Sequence, residues 1–147
     1  MTVFRFRLER VLEWRRTERD VEDQRLRQIH AELERLQGEQ ARLQAARVTA
    51  EMEVLRTGPV EARELVALAA YRRRLEQDRQ RVLEQSRECR ARADAQRARC
   101  LEADRRCRLL DKLRARKLAE HLLAGDREQE TAAAESYLAQ WPAHQPR

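Results

Sequence analysis

Between Leu26 and Leu43 the apolar side chains fall at Leu26, Ile29, Leu33, Leu36 and Leu43, in alternating steps of three and four and then one of seven. Seven residues make nearly two helical turns, so this spacing returns to one face and forms the seam of a left-handed coiled coil. Carried backward, the register takes in Leu8 and Leu12 but also Arg15, Arg19 and Glu22, while Val11, Trp14 and Val21 lie on a neighbouring stripe. A local phase shift between about residues 14 and 25 is the simplest account. A second set recurs every seven residues at Leu68, Leu75, Val82, Cys89, Gln96, Ala103 and Leu110, with Ser86, Ala93, Cys100 and Cys107 as companions. The first stripe is mostly leucine and the second mostly small, a combination that suits close packing of one against the other.

One strong break separates the two patterns, Thr57-Gly58-Pro59. Glycine tolerates the left-handed conformation that ends a helix, and proline fits the first turn of the next. The expected fold is therefore all-α, a long antiparallel two-helix coiled-coil hairpin with a C-terminal helical overhang. Helix 1 is expected over about 6–56, the turn at 57–59, helix 2 over about 60–141 and a tail at 142–147, all in one domain. At 1.5 Å per residue the helices would be roughly 75 and 120 Å long, too long for a ball-shaped domain. With the turn at 57–59, facing residues sum to about 118, which pairs Leu43 with Leu75, Leu36 with Val82, Ile29 with Cys89 and Leu8 with Leu110. Large then meets small, so the pairing favours an intramolecular hairpin, a monomer in isolation, over a parallel homodimer. Residues from about 115 onward would pass the N-terminus without a partner, leaving Leu118, Leu122, Leu123, Tyr137, Leu138 and Trp141 exposed. Such groups mark a binding site or oligomer contact, unless the segment is a loosely ordered tail frayed at Gly125-Asp126.

Composition agrees with helices rather than a thick globular core: 39% of the 147 residues are charged, 4% are aromatic, and there are three Gly and three Pro. Charge is unevenly spread. Residues 1–57 carry 12 basic against 11 acidic side chains, residues 71–117 carry 17 against 8, and residues 118–147 carry 2 against 5. All basic residues except Lys112 and Lys117 are arginine, a bias that a GC-rich genome gives without phosphate recognition. The basic middle interleaves its arginines with carboxylates, as in Glu84/Arg87, Glu88/Arg92, Asp94/Arg97 and Glu102/Arg106, and has no aromatic ring between residues 72 and 136 for stacking bases. No nucleic-acid partner is expected, although an arginine-rich nucleic-acid-binding rod and a generic self-associating structural coiled coil stand as alternatives. The longest uncharged apolar run, LVALAA at 65–70, is too short for a membrane span, and no signal peptide is visible. A cytoplasmic protein without direct membrane insertion is expected.

Little in the chain points to catalysis. On a helix, the steps of 11 and 7 residues between Cys89, Cys100 and Cys107 separate them by roughly 16 and 10 Å, which excludes one zinc ion or an intrahelical disulfide. Small, buried, reduced seam residues are the better reading. His30, His121 and His144 have no motif neighbour, and no phosphate loop, dinucleotide fingerprint, nucleophile elbow or HExxH is present. A non-enzyme with no cofactor or metal is expected.

Three stretches carry a family resemblance. FRFRLERVLEWRR at 4–16 is similar to the N-terminal signature of FliJ-type flagellar export proteins, Phe-x-Phe-x-Leu followed by Val-Leu-x-aromatic-Arg. AYRRRLEQDRQRVLEQ at 70–85 resembles the family's Tyr-x-x-x-Leu opening of the second helix, and LLDKLRARK at 109–117 its Leu-x-x-Leu-basic block. The tail REQETAAAESYLAQW matches in part, with Ala134-Glu135 where the family has an Asp-Glu pair. The resemblance implies an antiparallel two-helix coiled coil like the stalk of rotary ATPases, serving as a non-enzymatic stalk and chaperone-escort component of the flagellar type III export apparatus. Its implied partners are the hexameric export ATPase, the cytoplasmic domain of the export gate and export chaperones, at the cytoplasmic side of the inner membrane. The end carrying both termini would enter the ATPase ring, giving Phe4, Phe6, Trp14, Leu122, Tyr137 and Trp141 as candidate contacts. Tyr71 and Leu75 would meet the gate. From the residues alone, Leu75 is a seam position, Tyr71 a surface anchor, and Phe4 and Phe6 either cap the hairpin's end against Leu113 or bind a partner.

Overall fold

The computed structural model describes residues 3–56 and 58–141. Its fold is an all-α helical hairpin of two helices, α1 (Glu9–Arg56) and α2 (Ala62–Gln140), packed against each other. Thr57 and the expected tail at 142–147 lie outside the described residues. Packing divides the chain into two compact units, one of Asp20–Glu102 and the other of Met1–Arg19 with Ala103–Arg147.

In the Asp20–Glu102 unit the seams meet as large against small. Leu36, Val82 and Cys89 form a buried cluster, and Ile29, Leu33 and Leu43 pack on it half-buried. The Cys89 thiol donates to the Ile29 carbonyl at 3.5 Å, which fixes the pairing at the residue sum that the seams predict. Leu75, Ser86, Ala93, Gln96 and Cys100 are buried at the remaining heptad positions of α2. Gln96 is accommodated because its side-chain amide donates to the Glu22 carbonyl at 3.1 Å and also to the Glu22 carboxylate. Ser86 has no such answer: its hydroxyl is buried without a hydrogen-bond partner among the described residues.

Arg15, Arg19 and Glu22 are half-buried while Val11, Trp14 and Val21 are exposed, so the seam of α1 keeps one register and the expected phase shift does not occur. Long polar side chains can lie along a seam with their stems covered and their charged ends at its edge. Glu22 is further held by Gln96, and Arg15 by Glu18 at 2.7 Å.

The helix ends differ from the expected bounds for local reasons. Gly58 adopts φ +94°, the left-handed conformation expected of it after α1. Helix α2 starts at Ala62 rather than about 60, because Glu61 and Glu64 form a capping pair ahead of it. The Glu61 N–H donates to the Glu64 carboxylate at 3.1 Å, and the Glu64 N–H donates to the Glu61 carbonyl at 3.0 Å. At the other end, α2 runs through Gly125 without interruption and stops at Gln140, one residue before the expected bound.

Helix α1 begins at Glu9, three residues later than expected, where the Glu9 N–H donates to the Phe6 carbonyl at 3.1 Å. Before it the chain is not helical: Phe4, Phe6 and Leu8 are half-buried while Val3, Arg5 and Arg7 are exposed. At Phe4 and Phe6 that period of two belongs to an extended stretch laid on one face, here against α2 within the same unit, and Arg7 and Leu8 form the turn into α1. Leu12 and Cys107 are fully buried beside it, and Ala103 nearly so.

This packing separates size from polarity. Leu36→Ala is expected to lower unfolding free energy by about 2–4 kcal/mol through lost contact and a cavity, whereas Ser86→Ala is expected to raise it by about 1 kcal/mol by removing an unsatisfied hydroxyl. Urea unfolding followed by circular dichroism reads both; a destabilised Ser86→Ala would mean that the hydroxyl has a partner.

Candidate functional site

Within the unit formed by the chain ends, the extended segment and α2 bound an open groove of about 970 Å³. Phe4, Phe6 and Leu8 form one wall, and Leu113, Lys117, Glu120 and His121 the other. The Phe4 and His121 rings lie 5.6 Å apart in a contact tilted by 46°. A smaller hollow of about 240 Å³ continues on the far side of Phe4, between it and Leu118, Leu122 and Gly125. The cover over α2 thus reaches Gly125, ten residues beyond the point at which the overhang was expected to begin. From Asp126 to Trp141 every residue is exposed.

Ion pairs order the polar rim of this unit. Arg16 reaches Asp111 at 2.7 Å and Arg114 reaches Glu9 at 2.9 Å, both joining α1 to α2. The hydrogen bond and charge of Asp111 raise the Arg16 pKa, so the guanidinium stays charged at any working pH. Glu120 accepts from Lys117 at 2.7 Å and from Arg116 at 3.1 Å, and Lys117 is the chief cause of its lowered pKa. These pairs are exposed and contribute more to register than to stability.

The predicted contact residues separate into several environments. Phe4 and Phe6 pack onto their own α2 and leave their outer faces in the groove. Trp14 is 57% exposed on α1, with the Arg15 guanidinium 4.5 Å from its ring centroid in a cation–π contact. Leu122 is exposed. Tyr137 and Trp141 stand one turn apart with rings edge-on at 5.6 Å, wholly outside the groove.

Tyr71 and Leu75 belong to the other unit and do not share a surface. Leu75 is buried in the seam, while Tyr71 is 40% exposed and lines an open groove of about 600 Å³ with Ala50, Val54, Ala67 and Leu68. Met52, Leu55, Leu65 and Val66, near the turn, are exposed as well. Met52, Leu55 and Val66 sit off the heptad register, where an apolar side chain has no packing partner.

Of the pairs named from the spacing, Asp94/Arg97 forms at 3.6 Å, whereas Arg92 reaches Glu32 on α1 at 2.9 Å instead of Glu88; Arg108 pairs with Asp104 at 2.7 Å. Cys89, Cys100 and Cys107 are free and buried. Among the described residues no group of three His, Cys, Asp or Glu side chains is placed to hold a metal ion, and no helix is long and apolar enough to cross a membrane. Comparison with protein-family models, with curated proteins and with solved structures finds no match for this chain.

Burial, with a smaller contribution from Asp23, raises the Cys100 pKa. The native state therefore keeps a proton that the unfolded chain loses once pH exceeds the ordinary thiol range, and stability falls as pH rises through that window. The stability difference between wild type and Cys100→Ala is expected to be constant near neutral pH and to shift against wild type above pH about 8.5, the ordinary thiol value. Urea unfolding at a series of pH values checks the sign.

Proposed function

We propose that the chain is a non-enzymatic stalk component of the flagellar type III protein export apparatus, acting at the cytoplasmic face of the inner membrane. The observation that carries the reading is the end of α2, exposed at all residues 126–141, beyond Gly125, the last half-buried residue beside the N-terminal Phe-x-Phe-x-Leu segment. A helix that outlasts its partner and ends in Tyr137, Leu138 and Trp141 offers apolar surface to a ring that encloses it. Together with the resemblance at 4–16, 70–85 and 109–117, this supports insertion of the overhang into the hexameric export ATPase. The groove beside Tyr71 supports a separate contact with the cytoplasmic domain of the export gate, in which Leu75 acts from the core by holding α2 in register. Export chaperones are the third class of partner on this reading. Ring binding supports the coupling of ATP hydrolysis to export without a catalytic group from this chain.

Pull-down of the cognate export ATPase by the full chain and by a chain ending at Gly125 tests the overhang. The shorter chain is expected to lose most of the binding while keeping its helicity below residue 126; undiminished capture would sink the assignment. Tyr71→Ala is expected to weaken binding to the gate's cytoplasmic domain by about tenfold, the loss of one exposed aromatic anchor, and to leave ATPase capture unchanged.

A further inference from the structure

On the last third of α2 a second apolar stripe runs along the face turned away from the hairpin. The covered face follows Leu110, Arg114, Leu118, His121 and Gly125, all half-buried. At about 100° per residue, Leu109, Leu123 and Trp141 lie roughly 160° around the helix from Gly125. Leu109, Leu123 and Tyr137 repeat at two-heptad intervals, and Trp141 follows one turn after Tyr137. Leu109, Leu123, Tyr137 and Trp141 are exposed, Leu123 by 58% and Trp141 by 63%. The positions between them in the same register, including Arg116 and Glu130, are charged. Nothing inside the hairpin accounts for a stripe on its outer face.

Charge along the same stretch is segregated. Residues 105–117 carry seven basic side chains and one acidic, and residues 126–141 carry four acidic and one basic. Two copies laid parallel would set like against like. Laid antiparallel about Leu123, the basic half of each copy meets the acidic half of the other, and Leu109 faces Tyr137.

We infer that a second copy of this chain is the occupant of this face, forming an antiparallel, two-fold symmetric pair through the outer side of α2 from Leu109 to Trp141. The contact is isologous, since each copy offers one basic and one acidic half. It uses a face that the intramolecular hairpin leaves unused, and it replaces the monomer expected from the seam pattern. It does not rest on the export reading, because the stripe and the charge polarity hold whatever the ring binds.

Sedimentation equilibrium of the full chain tests the pair. Wild type is expected to show a reversible monomer–dimer equilibrium, weakened by at least about tenfold, or 1.4 kcal/mol, in Leu123→Glu and in Tyr137→Glu, with unchanged circular dichroism because both side chains are exposed. Orientation is read from two charge-reversed chains, one with Glu128, Glu130 and Glu135 changed to Arg, the other with Lys112, Arg116 and Lys117 changed to Glu. Each alone is expected to be monomeric, and their equimolar mixture dimeric. A wild type that is monomeric at every concentration, a dimer indifferent to Leu123→Glu and Tyr137→Glu, or charge-reversed chains that each dimerise unaided would overturn the inference. Failure of the export ATPase to capture the chain at concentrations where it is monomeric would count against the export reading alone.

Discussion

Everything else in the hairpin follows from how closely α1 and α2 approach, and that is set by the small side chains on α2. Leu36 is almost fully buried because Val82 and Cys89 occupy the facing positions; a leucine at 89 would collide with Ile29, whose carbonyl lies 3.5 Å from the thiol. Alanines and cysteines continue the narrow seam at 93, 100, 103 and 107. With the backbones this near, Glu22 and Gln96 can bond across the seam, and Arg92 and Glu32 can meet at its edge. Register is therefore held by packing first and by polar contacts second. The same closeness explains why Ser86 is tolerated: it is small, and its unsatisfied hydroxyl costs less than a side chain too large for the site.

The chain ends obey a different constraint. An extended segment has side chains on one face at every second residue, so Phe4 and Phe6 can both touch α2 only if helix α1 begins after them. A helix over the same residues would turn Phe4 and Phe6 about 200° apart, leaving one ring without support. The segment ends its cover at Gly125, and the remaining turns of α2 keep their helix by continuity with a long nucleated one.

The heptads of α2 were legible residue by residue, since small residues every seven positions can be buried only against a partner helix. Gly58 and the large-to-small pairing were equally plain. The departure at residues 14–25 arose from treating charge as incompatible with a seam, although long side chains cover one with their stems. The N-terminal misreading was one of period: Phe-x-Phe-x-Leu carries a two-residue repeat, but the helical pattern beginning at Leu8 overran it. The contact between Phe4 and His121 was not legible, because 117 residues separate the two rings and neither lies on a predicted seam. Nor could the grooves be read ahead, since their walls combine side chains from elements that only the fold brings together.

Charge segregation in the terminal unit bears on any partner the overhang takes. Residues 126–141 combine Tyr137, Leu138 and Trp141 with four carboxylates, so an enclosing ring has to present basic as well as apolar surface, or leave the carboxylates in water. A second copy already satisfies that requirement through residues 105–117. If the chain both pairs with itself and enters a ring, the two contacts draw on the same helix face and exclude one another. By mass action, dilution favours the free overhang and accumulation of the chain favours the pair. A ring partner then has to bind the monomer more tightly than a second copy does, and its advantage grows as the chain becomes scarce. On that account the acidic overhang is a surface with two competing basic partners, and the concentration of the chain itself decides how often it is available.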